Sequence, residues 1–342
     1  NDATQNIGNG SYSTADPYVK KVWDGRYTGI RMCNELLENI DRVPDLDPEL
    51  KKRYIGEAKV LRAYNYYELY TKFGDVPYTT KVLSIKESMS IARTAKATVI
   101  ANVLADLDEV INGNYLPTSY DADNKGRITR WAAMAIKAKI YLFEGNWTQV
   151  KNITSTIMTE GGFKLFGSYA GLFEIANEYN SEVILDAQYR PTSREHQMMY
   201  VFLPPTLGGY SQLSPLQELV DSYIMLDGKT IKETGTSFDE SHPYANRDPR
   251  LKATVMYTGN SYTLADGTEV VINCEKGEGK DGYGVGSDCS ATGYYIKKYW
   301  DNTYRATLYS GLNPILIRYA DILLMNAEAL AELGELDKTA WD

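Results

Sequence analysis

Histidine is almost missing from the 342 residues: there are two, His196 and His242, and neither has a second ligand-type residue at metal-binding spacing. Both sit in loop-like sequence and read as surface residues, which removes the usual His-based zinc sites. Cysteine is scarce as well. Cys33, Cys274 and Cys289 form no zinc pattern; Cys33 falls in helical sequence and reads as a small buried side chain, while Cys274 and Cys289 flank a Gly-rich loop and are candidates for one disulfide, with free thiols as the alternative. No apolar run approaches the roughly 20 residues that cross a bilayer. No basic run exists either, and the net charge of −9 argues against nucleic-acid or anionic-membrane partners.

Catalytic signatures are equally absent. There is no G-x-S-x-G elbow, no H-E-x-x-H and no Walker lysine, and the glycines at 282, 284 and 286 do not follow a strand and precede a helix as a dinucleotide fingerprint requires. A glycosidase pair of carboxylates is the one arrangement that 45 acidic residues leave open. Asp106, Asp108 and Glu109 lie on an amphipathic helix and read as a solvated face. Asp281 and Asp288 are candidates for a structural calcium ion in an irregular loop, but they match no ordered ligand spacing.

What is abundant is helical grammar. Asp47-Pro48 supplies an N-cap acceptor followed by a proline where no N–H is needed, and Gly74 with Pro77 supplies the stop. Between them Leu50, Tyr54, Ala58, Leu61 and Leu69 fall on one stripe, widened by Ile55, Val60 and Tyr67. Asp16-Pro17 opens a second long helix ending before Pro44, so the two form an antiparallel pair. Residues 81–96 read as an exposed connector, and Val99 to Ile111 as an amphipathic helix. The unit Trp131 to about Met158, helix, glycine, helix, returns at Arg318 to Leu336: Ala138, Leu142, Gly145 and Trp147 correspond to Ala327, Ala331, Gly334 and Leu336. Such units are similar to tetratricopeptide repeats. The last one stops after its first helix, which implies a fragment of a longer chain with an apolar face left uncovered.

From Gly161 the character changes. Glu182 to Gln188 reads as a short strand, Ser214-Pro215-Leu216-Gln217 as a capping box opening a helix to about Leu226, Tyr262 to Ile272 as a hairpin, and Tyr294 to Trp300 as a strand. The fold class expected is therefore mainly α: residues 16–160 a helical repeat scaffold, 161–313 a loop-rich ligand-facing subregion containing short strands and a hairpin, and 314–342 the start of a further repeat. These subregions are expected to form one domain over residues 1–342, although the length alone also allows two modest ones.

The run GEAKVLRAYNYYELYTKFGDVPY, Gly56 to Tyr78, resembles the signature helix of the SusD/RagB family of glycan-binding outer-membrane lipoproteins. Five further blocks strengthen the likeness in order: Arg26 to Ile40, Gly126 to Trp147, Ser181 to Tyr189, Arg247 to Val255 and Ile317 to Leu330. The resemblance implies a non-catalytic protein that holds an oligosaccharide at the bacterial outer membrane for a SusC-like TonB-dependent transporter, without a cofactor. It also implies longer family members and a lipidated cysteine upstream of Asn1; the first residues, NDATQNIGNG, carry no targeting signal.

Composition supports a wet aromatic surface: tyrosine numbers 28 against seven phenylalanines, so aromatic bulk here usually carries a hydroxyl. Tyr54, Tyr64, Tyr66, Tyr67, Tyr70 and Tyr141, and Trp23, Trp131 and Trp147, read as packing residues by helical phase, and Trp300 as a strand-end packing residue. Ligand contacts belong in loops on a rigid support. Tyr210, after Gly208-Gly209, occupies the place where the family pattern puts an exposed stacking aromatic. Tyr200 and Tyr189 fall near a second platform, and Tyr12 near a third contribution. The alternatives are a helical scaffold that binds protein in its groove and a carbohydrate-active enzyme.

Overall fold

The computed structural model describes residues 6–8, 10–264, 266–300 and 308–337. Its helices are α1 (Pro17–Asn39), α2 (Pro48–Phe73), α3 (Ile85–Ser90), α4 (Lys96–Asn112), α5 (Arg130–Phe143), α6 (Trp147–Glu160), α7 (Met198–Phe202), α8 (Gln217–Ser222), α9 (Pro249–Thr254) and α10 (Tyr319–Glu332). The strands are short: β1 (Val183–Asp186), β2 (Val255–Met256), β3 (Ser261–Thr263), β4 (Glu269–Val271), β5 (Tyr295–Ile296) and β6 (Ile315–Arg318). The protein is mainly helical, and it divides into two compact units. One comprises Asn1–Leu165, Ser181–Leu185 and Ile317–Asp342; the other comprises Phe166–Asn180 and Asp186–Leu316. β1 and β6 pair with each other, and the chain passes from one unit to the other within them.

The helical unit is a sequential stack in which α1 packs on α2, α2 on α4, α4 on α5, α5 on α6 and α6 on α10. The local chemistry sets each start and stop. Asp16 accepts from Tyr18 N (2.9 Å) and Asp47 from Leu50 N (2.8 Å), each ahead of a proline. Gly74, Gly145 and Gly334 take positive φ where α2, α5 and α10 end. Ala132, Ala133, Ala135 and Ala138 are all fully buried on α5, so its neighbours approach without large side chains between them.

α2 lies between α1 and α4 and is buried on more than one face. The single stripe expected from spacing therefore needs correction. Leu61, placed on it, is 45% exposed, while Arg62 is 4% exposed. Arg62 Nη2 meets Asp106 Oδ2 at 2.7 Å and Arg62 Nη1 donates to Asn34 Oδ1 at 2.9 Å, joining α1, α2 and α4 through one guanidinium. Asp106 is thus a partner in a buried network and not part of a solvated face. Tyr66, Leu69 and Tyr70 are completely buried, and burial of the Leu69 side chain alone is worth about 1.5–3 kcal/mol.

Three further corrections concern local signals. The connector 81–96 contains α3, opened by a capping box in which Ser84 Oγ accepts from Glu87 N (3.3 Å) and Glu87 Oε2 accepts from Ser84 N (2.8 Å). The box expected at Ser214 does not form, because the Ser214 hydroxyl is hydrogen-bonded to Ser211 Oγ (2.9 Å). α8 then begins uncapped at Gln217 and ends at Ser222, where Tyr223 turns extended. The strand expected over Tyr294 to Trp300 is reduced to β5, paired with β2 as Val255↔Ile296 and Met256↔Tyr295.

The loop-rich unit has two small cores. One gathers Met199, Leu203, Leu207, Met256, Tyr262, Ile272, Cys274 and Tyr295; the other gathers Val220, Leu251, Val255, Tyr257 and Tyr294. The expected hairpin is present as β3–β4, with Tyr262 opposite Val270. Arg247 organises the second core. It is buried and donates to the carbonyls of Val220 (2.6 Å), Tyr223 (2.7 Å) and Pro243 (2.9 Å), closing the C-terminal end of α8; that burial lowers its pKa. Cys274 and Cys289 are not bonded to each other. Burial pushes the Cys274 thiol up to about 12, with the Asp281 carboxylate adding to the shift, so it stays protonated.

Candidate functional site

The segment 198–214 shows how a flat ring comes to be displayed. α7 plants Met199 and Leu203 in the first small core, and the 3₁₀ turn Pro205–Leu207 adds Leu207 to it. Gly208 then takes φ +88, a conformation other residues adopt at a cost. Gly209 must approach the preceding turn so closely that a Cβ there would lie 2.7 Å from Leu203 Cα. After this reversal the chain runs back beside α7. Tyr210 N donates to Tyr200 O (2.9 Å), Ser211 N to Leu203 O (3.3 Å) and Leu213 N to Val201 O (3.3 Å). Thr206 N donates to Asp281 Oδ1 (2.7 Å), pinning the turn to the 281–290 loop.

The consequence is a stacked pair. The rings of Tyr200 and Tyr210 lie 4.1 Å apart between centroids at 25°, so each gives one face to the other. Tyr210 remains 38% exposed. The neighbouring Tyr210 side chain raises the Tyr200 pKa above the ordinary tyrosine value. A two-ring plate of this kind, with hydroxyls on one edge, presents an apolar face for C–H groups and a polar rim for hydroxyls.

The other two candidate tyrosines are placed differently. Tyr189 belongs to the same unit, but its ring meets the edge of His196 (4.7 Å, 89°) and carries the Arg194 guanidinium over its face at 5.5 Å. Its backbone N donates to Asn313 Oδ1 at 2.6 Å. Tyr12 is in the helical unit, 55% exposed, where it lines a cavity of about 840 Å³ with Tyr18, Trp23 and Phe73. Trp300 packs edge-on against Tyr262 (4.8 Å, 85°).

His196 is not a free surface residue as expected. It is half-buried, its Nε2 is 2.8 Å from Leu312 O, and its backbone bridges to Ser310. His242 is exposed and paired with Asp239 at 2.7 Å. Asp281 is spent on the Thr206 amide, and among the described residues no three His, Cys, Asp or Glu side chains gather as a metal cage. Beneath Tyr189 lies a network that sequence reasoning missed. Buried Asp186 accepts from Gln188 Nε2 and from Asn313 Nδ2 (3.3 Å), and Tyr179 Oη donates to Gln188 Oε1 (2.6 Å). Burial raises the Asp186 pKa, partly offset by these bonds. Glutamine, asparagine and tyrosine scattered from 179 to 313 gave no local signal for it.

Two family models match the chain: one described as "SusD family" over residues 171–342 and one described as "Starch-binding associating with outer membrane" over residues 2–142. SusD-like protein P25 of Formosa agariphila is 32% identical over 48% of this chain and 31% of its own length. SusD-like protein P38 of the same organism is 25% identical over 97% of this chain and 63% of its own. The chain thus spans between about a third and two thirds of the curated relatives it matches. Among solved structures, a SusD-like protein from Bacteroides fragilis superposes with TM-score 0.83 at 28% identity, covering 95% of this chain and 66% of that one. A SusD-like carbohydrate-binding protein from the same species gives TM-score 0.85 at 25% identity, with 96% and 64% covered.

Proposed function

The chain belongs to the SusD family, and from that premise we propose that it binds an oligosaccharide at the bacterial outer membrane without cleaving it. The observation that carries this reading is the Tyr200–Tyr210 plate, one ring of which is 38% exposed. A stacked pair is stiffer than a lone tyrosine, so less rotamer freedom is lost when a sugar settles on it. Two structural neighbours support the ligand class: one is a laminarin-binding SusD-like protein, at TM-score 0.65 and 24% identity, and the other a structure with xylogluco-oligosaccharide, at 0.70 and 20%. With Tyr210 only partly exposed, the plate can cover little of a sugar, which favours modest affinity and broad recognition of sugar faces over discrimination between sugars.

Tyr189 is a supporting member in this proposal, through its Arg194-covered ring beside the same segment, and Tyr12 is proposed as a separate contact at the cavity of its own unit. Delivery to a SusC-like TonB-dependent transporter, and attachment to the outer membrane through a lipid, are proposed from family membership. No helix among the described residues is long and apolar enough to cross a membrane. The test is titration of a glycan panel followed by tryptophan and tyrosine fluorescence, with an assay for new reducing ends. Saturable binding without cleavage, weakened in Tyr210→Ala, is expected; release of reducing ends would overturn the non-catalytic reading, and silence across the panel would overturn saccharide binding.

A further inference from the structure

The loop-rich unit holds a second feature of a different character. A cavity of about 550 Å³ is walled by Phe173, Tyr262 and Trp300 and carries Lys297 and Lys298. Lys298 Nζ stands 4.0 Å from the Phe173 ring centroid and Lys297 Nζ 5.3 Å from that of Tyr262. Neither ammonium is ion-paired to a carboxylate among the described residues. The Lys297 ammonium donates to the Lys252 carbonyl (3.2 Å), and among the described residues the Lys298 ammonium makes only cation–π contacts. One carboxylate, Glu174, lies on the described wall, and it accepts from Asn177 Nδ2 (3.4 Å).

Cation–π contacts account for where the two ammoniums sit. They satisfy few of the six N–H donors, and they do not neutralise the charge. Burial, followed by the nearby Lys252 ammonium, lowers the Lys297 pKa, with Glu174 opposing. Two cations lining one aromatic cavity, in a chain whose overall charge is −9, form a local reversal of sign that an anion would relieve. Phe173 and Tyr262 are buried beneath the two ammoniums, so the half-buried Trp300 is the ring left for the C–H face of a pyranose, and the ammoniums suit an anionic group on its rim.

We infer that this cavity is a second saccharide subsite, for a sugar unit bearing a carboxylate or sulfate group held by Lys297 and Lys298 while its ring packs on Trp300. The inference rests on the saccharide reading above and adds to it a ligand class, the anionic glycans.

The test titrates the full chain with tetragalacturonate, with its methyl-esterified neutral form, and with a sulfated carrageenan tetrasaccharide against its desulfated form. At 50 mM NaCl at least one acidic oligosaccharide is expected to bind about ten-fold or more tighter than its neutral counterpart, with the preference shrinking at 500 mM. Whichever acid shows the larger preference identifies the anion. Lys298→Gln should erase the preference, whereas Tyr210→Ala should weaken the neutral sugars and leave it intact. Ala176→Trp, at an exposed position of the cavity wall, should block the site with an unchanged melting temperature, and it decides the matter if Lys298→Gln does not fold. Neutral sugars binding with no gain from either acid would overturn this subsite alone; no binding of any sugar would overturn the saccharide reading itself.

Discussion

Replacing Gly209 by alanine touches no ring, yet it should dismantle the aromatic plate. The added Cβ would sit 2.7 Å from Leu203 Cα, against backbone that cannot swing aside, so the reversal between Gly208 and Ser211 must open. Four backbone bonds hold that reversal: Gly209 N to Pro204 O (3.0 Å) and the three that run from Tyr210, Ser211 and Leu213 to Tyr200, Leu203 and Val201. Losing two or three of them at about 1 kcal/mol each gives a cost of about 2–3 kcal/mol. The midpoint of the transition that includes this unit should fall by about 5–10 °C in calorimetry. Gly208→Ala is the comparison: its φ of +88 costs about 1–2 kcal/mol, but its Cβ would find Leu308 at an ordinary 3.7 Å. Gly209→Ala should therefore be the more damaging of the two, and it should weaken glycan binding while Tyr200 and Tyr210 are both still present. A melting temperature within about 1 °C of the parent protein, with binding unchanged, would refute the claim that this close approach builds the site.

Other substitutions probe the frame. Arg247→Met should cost about 2–4 kcal/mol in urea unfolding, because the carbonyls of Val220, Tyr223 and Pro243 are left without donors; a loss below 0.5 kcal/mol, roughly the noise of a surface change, would contradict its role. Arg62→Leu should cost about 1–3 kcal/mol, because Asn34 Oδ1 loses its donor and Asp106 keeps only Lys59 Nζ at 3.6 Å, whereas Leu61→Ala next to it should cost less. Asp186 has its folded-state pKa raised by burial, so its contribution is fully present below the unfolded value near 3.9 and is lost as pH rises through the folded value. The stability of the parent relative to Asp186→Asn should accordingly grow between pH 7 and pH 4, and a difference that is constant or shrinks on acidification would show that burial does not govern this group.

The helical stack was legible wherever signals were local. Asp16-Pro17, Asp47-Pro48 and Gly145 act through neighbours a few residues away, and each does in the structure what its position implies. The faces of α2 were less legible, since a helix packed on both sides has no single stripe; Leu61 looked internal by spacing, and Arg62 is internal because Asp106 and Asn34 receive it. Capping boxes depend on competition. Ser84 finds Glu87, while Ser214 is claimed by Ser211 through a turn that no short window reveals. For the site, sequence could nominate Tyr200 and Tyr210 separately as loop aromatics, but their stacking comes from the Gly208-Gly209 reversal and the bond from Tyr210 N to Tyr200 O. Arg194 over Tyr189, and the Asp186 network beneath it, join residues up to 127 apart and lay beyond any periodicity.

The central claim is that the exposed ring of Tyr210 carries saccharide binding. With 38% of roughly 200 Å² exposed, a sugar can cover at most about 80 Å², worth about 2 kcal/mol or about a 30-fold change in affinity. Titrating the best glycan from the panel against Tyr210→Phe and Tyr210→Ala separates ring from hydroxyl. Phenylalanine is expected to hold affinity within about three-fold and alanine to lose about 30-fold; equal affinity in the parent and the alanine variant would contradict the account.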